Sequence, residues 1–196
     1  MTTRDDRPEI LSIRTAARSR LFHIESVQLR FTNGKEREFE RIASSAEPGA
    51  VVVVPLLDAA HILLVREYAV GLDRYELGLP MGRYQKDETA LQAANRELME
   101  ETGYGARELR LLHTLSLAPG ILGYRMDVVF ATSLYPHRRE GDEPEPLEVV
   151  PWPVDRLDRI FDGAAISDAR TLAALFVARN FLRPAARMVD EAVNSI

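Results

Sequence analysis

Three carboxylates fall close together at Glu97, Glu100 and Glu101, directly after Arg96. On a helix, residues four apart stack on one face, so Glu97 and Glu101 lie one above the other. Glu100 lies three residues from Glu97 and four from Arg96. Like charges at this spacing cost an isolated helix about 0.2–0.5 kcal/mol per pair, and the cost rises where the helix edge is buried. Arg96 is expected to pair with one carboxylate only. A hard cation such as Mg²⁺ would offset the remaining repulsion, because it favours carboxylate oxygens, waters and substrate phosphates. A solvated helix face rich in Glu is the alternative reading of the same residues.

The element that must position these groups is a helix over 88–102. Asp87 is placed to cap its start and Gly103 to stop it. Leu91, Ala94 and Leu98 form an apolar stripe, with Glu97 and Glu101 on its border. Around this helix the chain alternates strands and helices. Strands are expected at 51–55, 61–66, 75–79, 109–117, 125–133 and 148–151, and helices at 153–161 and 167–182, with Ser167 capping the last. That order predicts an α/β fold, a mixed sheet with helices on both faces. Residues 1–46 read as a β-rich arm: Phe22 and Ile24, then Val27, Leu29 and Phe31, alternate with polar residues. The shift between the two sets predicts a bulge, and Asn33-Gly34 predicts a hairpin turn. The stretch 43–49 is a loop and a domain boundary, 47–185 form the main domain, and 186–196 form a tail.

The chain has 196 residues, 46% apolar and 28% charged, which suits one domain with a small appendage. It has no Cys, which excludes disulfide scaffolds, thiolate zinc sites and cysteine nucleophiles and fits a reducing cytoplasm. The first ten residues contain no apolar core, so no secretory signal is expected. The longest run free of polar side chains, Ala50 to Leu57, is far short of the roughly 18–20 residues that span a bilayer. Net charge is −5 and the pI about 5.5, so neither nucleic acid nor an anionic membrane is an expected partner. A phosphate-bearing substrate would need local positive charge, which a bound divalent cation would supply. His23, His61, His113 and His137 show no metal-ligand spacing, and Trp152 reads as core.

The wider spacing is more specific than the three carboxylates. Gly82, five residues, Glu88, seven residues and then Arg96-Glu97-Leu98-Met99-Glu100-Glu101-Thr102-Gly103 follow the pattern G-x5-E-x7-REUxEExGU. Seven fixed positions at about one residue in fifteen each match by chance on the order of 10⁻⁸ per start. The chain therefore resembles the Nudix hydrolases over about residues 46–185, with Tyr104 standing where an aliphatic is usual. The resemblance implies a Nudix α/β/α sandwich whose box forms a loop-helix-loop holding Mg²⁺, or Mn²⁺ in its place. Glu97 and Glu101 would then be metal ligands, with the backbone carbonyl of Met81 beside Gly82. Glu100 would be a further ligand or the base that activates water, Arg96 would orient Glu100, and Glu88 would support the site from the loop side.

Outside the box, several stretches resemble the ADP-ribose pyrophosphatase branch. Pro119 lies fifteen residues after Tyr104, in Leu117-Ala118-Pro119-Gly120, and Tyr75-Glu76-Leu77 leads to Pro80-Met81-Gly82 by a path two residues longer, Gly78 and Leu79. The stretches ARSRLFHIESVQLRF, VREYAVG, YELG, AANREL and EGDEPEPL are similar to the bacterial ADP-compounds hydrolases within that branch. Ala69 and Tyr124 depart from the branch, which often has Arg and Glu there. The likeness implies cleavage of ADP-ribose, diadenosine polyphosphates such as diadenosine triphosphate, or NADH, with AMP as one product. It also implies a homodimer built through the N-terminal arm.

The acidic turn offers Asp142, Glu143 and Glu145 as loop bases; by position after the penultimate strand Glu143 is favoured, with Glu145 an accessory metal contact, and a solvated turn stiffened by Pro144 and Pro146 is the alternative. Arg41 and Arg66 offer guanidinium groups for the diphosphate, or surface ion pairs. Tyr68 offers a ring for adenine, or a packed strand end. Two other activities compete: hydrolysis of another nucleotide sugar or damaged nucleotide, and a non-catalytic sensor of ADP-ribose or NAD metabolites.

Overall fold

The computed structural model describes residues 7–43, 49–162 and 166–182. Contacts divide the chain into two units, one of residues 1–48 and 116–125, the other of 49–115 and 126–196. The tail 186–196 lies outside the described residues.

The first unit is an antiparallel meander of β1 (Glu9–Arg18), β2 (His23–Arg30) and β3 (Glu36–Ile42). Asn33-Gly34 turns the chain as expected: Gly34 has φ +77°, and Asn33 Oδ1 accepts from the Lys35 amide at 3.0 Å. The bulge falls elsewhere than predicted. β2 pairs with β3 without a break, and the register shifts lie on β1, between Ile10 and Ser12 and between Thr15 and Ala17. Two extra residues break the period of two along β1, which is why alternation does not reveal that strand. The Ala118–Ile121 turn closes this unit, with Ile42 paired in parallel to Leu122.

The second unit is built around β4 (Ala50–Pro55), buried at every position. An unbroken apolar run is what a strand covered on both faces requires. Following it are β5 (His61–Ala69), β6 (Arg74–Gly78), β7 (Met81–Arg83), α1 (Ala90–Thr102), β8 (Tyr104–Ala118), β9 (Leu122–Pro136) and β10 (Glu148–Pro153). β4 pairs in parallel with β9 and antiparallel with β7, so the sheet is mixed; β10, β5 and β6 form a second, antiparallel sheet. Val51 and Val53 of β4 pack with Ala93, Ala94 and Leu98 of α1. The opposite face of β4 meets α3 (Ala169–Leu182), which buries Thr171, Ala174, Leu175 and Ala178. Helices on both faces give the expected α/β/α layering.

Several boundaries differ from the expectation. β5 runs past Arg66 to Ala69. Pro153 is extended and belongs to β10, so the helix expected at 153–161 is a 3₁₀ turn, Val154–Arg156, and a short α2 (Asp158–Asp162). Trp152 is half-buried and donates its indole N–H to the Arg156 carbonyl at 3.3 Å. The first turn of α3 is held by Asp168, which accepts from the Thr171 amide at 3.0 Å, while Ser167 bonds to Glu76 at 3.1 Å. Phe176 lies outside the packed face of α3, 58% exposed.

Candidate active site

α1 starts two residues later than expected. Asp87 adopts φ +64°, a left-handed turn conformation, and Thr89 is the cap. Thr89 Oγ1 accepts from the Gln92 amide at 3.3 Å and Gln92 Oε1 accepts from the Thr89 amide at 2.9 Å, a reciprocal capping box. At the other end Gly103 has φ +77° and donates to the Met99 carbonyl at 3.2 Å, which stops the helix. The buried face is also rotated from the expected stripe: Leu91 is 38% exposed, whereas Glu97 and Glu101 are each 6% exposed alongside Leu98.

Two carboxylates that deep must be held. Arg96, itself buried, does more than the single pairing expected of it. Its Nε and Nη2 donate to the two Glu88 oxygens at 2.8 and 3.0 Å, and its Nη1 donates to Glu97 at 2.7 Å and Glu100 at 2.8 Å. Nη2 also reaches the Arg83 carbonyl at 2.8 Å. This fork explains why an Arg at this position needs Glu88 eight residues earlier: Glu88 fixes the guanidinium, which then arranges Glu97 and Glu100.

Gly82 allows the approach. A Cβ at this position would collide with the Glu97 carboxylate. Beside it, the Met81 amide donates to both Glu101 oxygens at 3.3 Å. β7, pinned between β4 and α1, therefore brings Met81 and Gly82 against the two helix carboxylates. The two residues that lengthen the approach, Gly78 and Leu79, are tied down by α3: the Leu79 amide donates to Thr171 Oγ1 at 3.1 Å, and Thr171 donates to Asp168 at 2.9 Å.

Met81, Gly82, Arg96, Glu97 and Glu101 line a cavity of about 700 Å³, together with Glu100, Glu143 and Glu67. Burial, opposed by Arg96, pushes the Glu97 carboxyl up to about 7. Burial and the neighbouring Glu97 push Glu101 well above the usual carboxylate range. Arg96 holds Glu88 below that range. Glu67, on β5, is raised by burial and by Glu143. The sequence reading did not single out Glu67; a polar residue at the exposed end of a buried strand was its one signal.

The acidic loop 137–147 closes this cavity from another side. Gly141 passes against α1, where a Cβ would meet Glu100 Cβ at 3.3 Å. Glu143 lines the cavity and acts electrostatically on Glu97, Glu101 and Glu67. Glu145 borders an adjoining cavity of about 490 Å³ and accepts from Tyr75 Oη at 2.6 Å. The remaining sequence candidates are engaged elsewhere. Arg66 pairs with Glu148 at 2.9 Å, Tyr68 hydrogen-bonds Asp73 and packs edge-on against Tyr75, and neither lines the main cavity. Arg41 pairs with Glu25 at 2.8 Å inside the N-terminal unit.

Do these carboxylates suit a divalent cation? Among the described residues no three His, Asp or Glu side chains form a ready cage. Mg²⁺ needs none, since it retains waters and takes one or two carboxylates plus substrate phosphates. Glu97 and Glu101, raised by burial and by each other, are a donor set that a hard cation would relieve. The residues fit.

Known proteins are similar to this chain over most of its length. Residues 8–41 match the NudE-type Nudix hydrolase N-terminal domain, and residues 47–175 match the NUDIX domain. The chain is 44% identical to the ADP compounds hydrolase NudE of Escherichia coli, over 93% of this chain and 97% of that one. It is 30% identical to the ADP-ribose pyrophosphatase of Bacillus subtilis, over 84% of this chain and 91% of that one. A crystal structure of an ADP compounds hydrolase superposes with a TM-score of 0.85 at 46% identity, covering 89% of this chain and 94% of that one. The box geometry and these likenesses together place the chain in the Nudix hydrolase family, as an enzyme with a NudE-type N-terminal domain ahead of its Nudix domain.

Proposed function

We propose that this enzyme is a Mg²⁺-dependent pyrophosphatase of ADP-linked compounds: ADP-ribose, diadenosine polyphosphates such as diadenosine triphosphate, and NADH. Mn²⁺ would substitute for Mg²⁺. One observation carries the reading: Glu97 and Glu101 are buried side by side under Gly82 and face a cavity large enough for a diphosphate and its metal. The likeness to the E. coli and B. subtilis enzymes supports the ADP moiety.

Glu97, Glu101 and the Met81 carbonyl would hold the metal, which neutralises the diphosphate oxygens and lowers the pKa of bound water. Glu100 shares Arg96 with Glu97 and is already paired. Glu143 has no cationic partner among the described residues, and it projects into the cavity from a loop. It is therefore the group suited to take the proton from the attacking water, with Glu145 as an accessory contact. Arg96 and Glu88 orient the box carboxylates. Water attack at one phosphorus breaks the bridging P–O bond and releases AMP and the second phosphorylated product. Residues 47–185 would form the catalytic domain and 1–46 the dimerisation arm, in a cytoplasmic homodimer. Exposed Ile10, Ile13 and Phe39 give the arm an apolar surface suited to that contact. Among the described residues no helix is long and apolar enough to cross a membrane.

The test is incubation with Mg²⁺ and equimolar ADP-ribose, diadenosine triphosphate, NADH and GDP-mannose, with products resolved by chromatography. AMP from the adenine compounds, with GDP-mannose intact, is the expected result. Cleavage of GDP-mannose alone would contradict the ADP reading, and no cleavage of any would contradict the pyrophosphatase reading. Light scattering tests the dimer; a monomer at micromolar concentration would contradict it.

A further inference from the structure

The walls of the main cavity are acidic, yet the proposed substrate is an anion. Among the described residues three cationic side chains line the cavity: Arg83 at the exposed end of β7, Arg96 and Arg139. Arg96 is only 6% exposed, and three carboxylates and a carbonyl already occupy its fork. Arg139 is different. Its backbone is fixed, because its amide donates to the Met99 carbonyl at 3.2 Å while the nearby His137 amide donates to Gly103 at 2.9 Å. Those bonds staple the start of the acidic loop to the last turn of α1. Its side chain is weakly held: it is 55% exposed, and its Nε stands 3.5 Å from Glu100 Oε1. That distance is too long for a good hydrogen bond, and an exposed ion pair contributes little. The other Glu100 oxygen already has a 2.8 Å bond from Arg96. The same Arg139 borders both the main cavity and the adjoining one.

We propose that Arg139 is a substrate-binding residue that leans on Glu100 in the free enzyme and moves to the phosphate bridge when substrate enters. A guanidinium matches two phosphate oxygens at once, and the doubly charged bridge outcompetes a single, already paired carboxylate. The move also leaves Glu100 with Arg96 alone. The inference rests on the pyrophosphatase reading for its substrate, but not for its ligand chemistry.

Two readouts separate them. In turnover of ADP-ribose, Arg139→Gln is expected to raise KM about tenfold with kcat within about twofold of wild type. Arg139→Lys should recover part of the loss, since Lys lacks the fork. Arg138→Gln makes the same charge change one residue away and should leave KM within about twofold. In calorimetry with inorganic pyrophosphate and Mg²⁺, Arg139→Gln should weaken binding about tenfold. Pyrophosphate binding undiminished in Arg139→Gln would overturn the inference, as would equal KM changes in the Arg138 and Arg139 variants. A lower kcat at unchanged KM would also overturn it, showing that Arg139 only positions Glu100. Arg139-dependent pyrophosphate binding without turnover would support the inference and contradict the hydrolase reading.

Discussion

The helix α1 and the acidic loop 137–147 both present carboxylates to one cavity, but they hold them differently. On α1, Glu97 and Glu101 are buried, and a regular backbone, one arginine and a glycine gap fix their positions. On the loop, Glu143 and Glu145 are more exposed, and each reaches its place through a local turn, at Gly141 or against Tyr75. Burial raises the helix carboxyls and makes them ready to give up repulsion to a metal. Glu143 stays wetter and has no cationic partner among the described residues, which suits its proposed role as proton acceptor. In the proposed assignment, the metal ligands would sit on a rigid element and the proton acceptor where solvent reaches it.

The comparison breaks most severely at the helix. Glu101→Gln should cost more turnover than the 10–100-fold typical of losing a group one step removed from a metal. The same variant should be more heat-stable than wild type near neutral pH without Mg²⁺, because it removes a carboxyl whose ionisation burial opposes in the folded chain; a thermal melt of the two proteins checks this. Next comes the loop: Glu143→Gln should lower kcat about 10²–10⁴-fold with Mg²⁺ affinity unaltered, measured by single-turnover kinetics and calorimetry. Arg96→Ala should destabilise the fold by about 3–5 kcal/mol in denaturant unfolding, since it strands buried carboxylates.

The contrast is sharpened by pH. Glu97 is raised from its ordinary 4.5 to about 7. Without metal, the unfolded chain ionises first, so the contribution of Glu97 to stability is fully present below about pH 4.5 and is lost as pH rises towards 7. Mg²⁺ binds the ionised form, so the gain in Tm on adding Mg²⁺ should be small near pH 5 and grow through pH 7. An equal gain at both pH values would contradict burial as the cause. The smallest effect is expected from Tyr75→Phe, which frees Glu145: kcat should fall about tenfold at most, with no change in Mg²⁺ affinity.

How much of this could be read from the sequence follows the same contrast. The box residues were legible because helical geometry converts a fixed spacing into a fixed constellation. Gly82, Glu88, Arg96, Glu97, Glu100 and Glu101 do converge. What spacing could not show was the extent of burial: of the expected stripe Ala94 and Leu98 are in the core, yet the helix turns Glu97 and Glu101 inward and leaves Leu91 outside. Spacing also missed the reach of Arg96, since three of its partners lie one, four and eight residues away and one is a backbone carbonyl on β7. The caps at Thr89 and Asp168 were misplaced by one or two residues because Asp, Ser and Thr all suit the position and only the local φ decides. The chemistry of Arg66 and Tyr68 suits either a substrate contact or a local partner, and the structure gives each the local partner, Glu148 and Asp73. Glu67 and Arg139 enter the cavity through tertiary packing, which no local pattern encodes.

We assign metal binding to α1 and proton transfer to the loop. The most direct test of this assignment is calorimetric titration of Mg²⁺ into wild type, Glu101→Gln and Glu143→Gln, with ADP-ribose turnover measured on the same samples. The account predicts that Glu143→Gln binds Mg²⁺ like wild type but barely turns over, and that Glu101→Gln loses both. Wild-type turnover in Glu101→Gln, or loss of Mg²⁺ binding in Glu143→Gln, would contradict it.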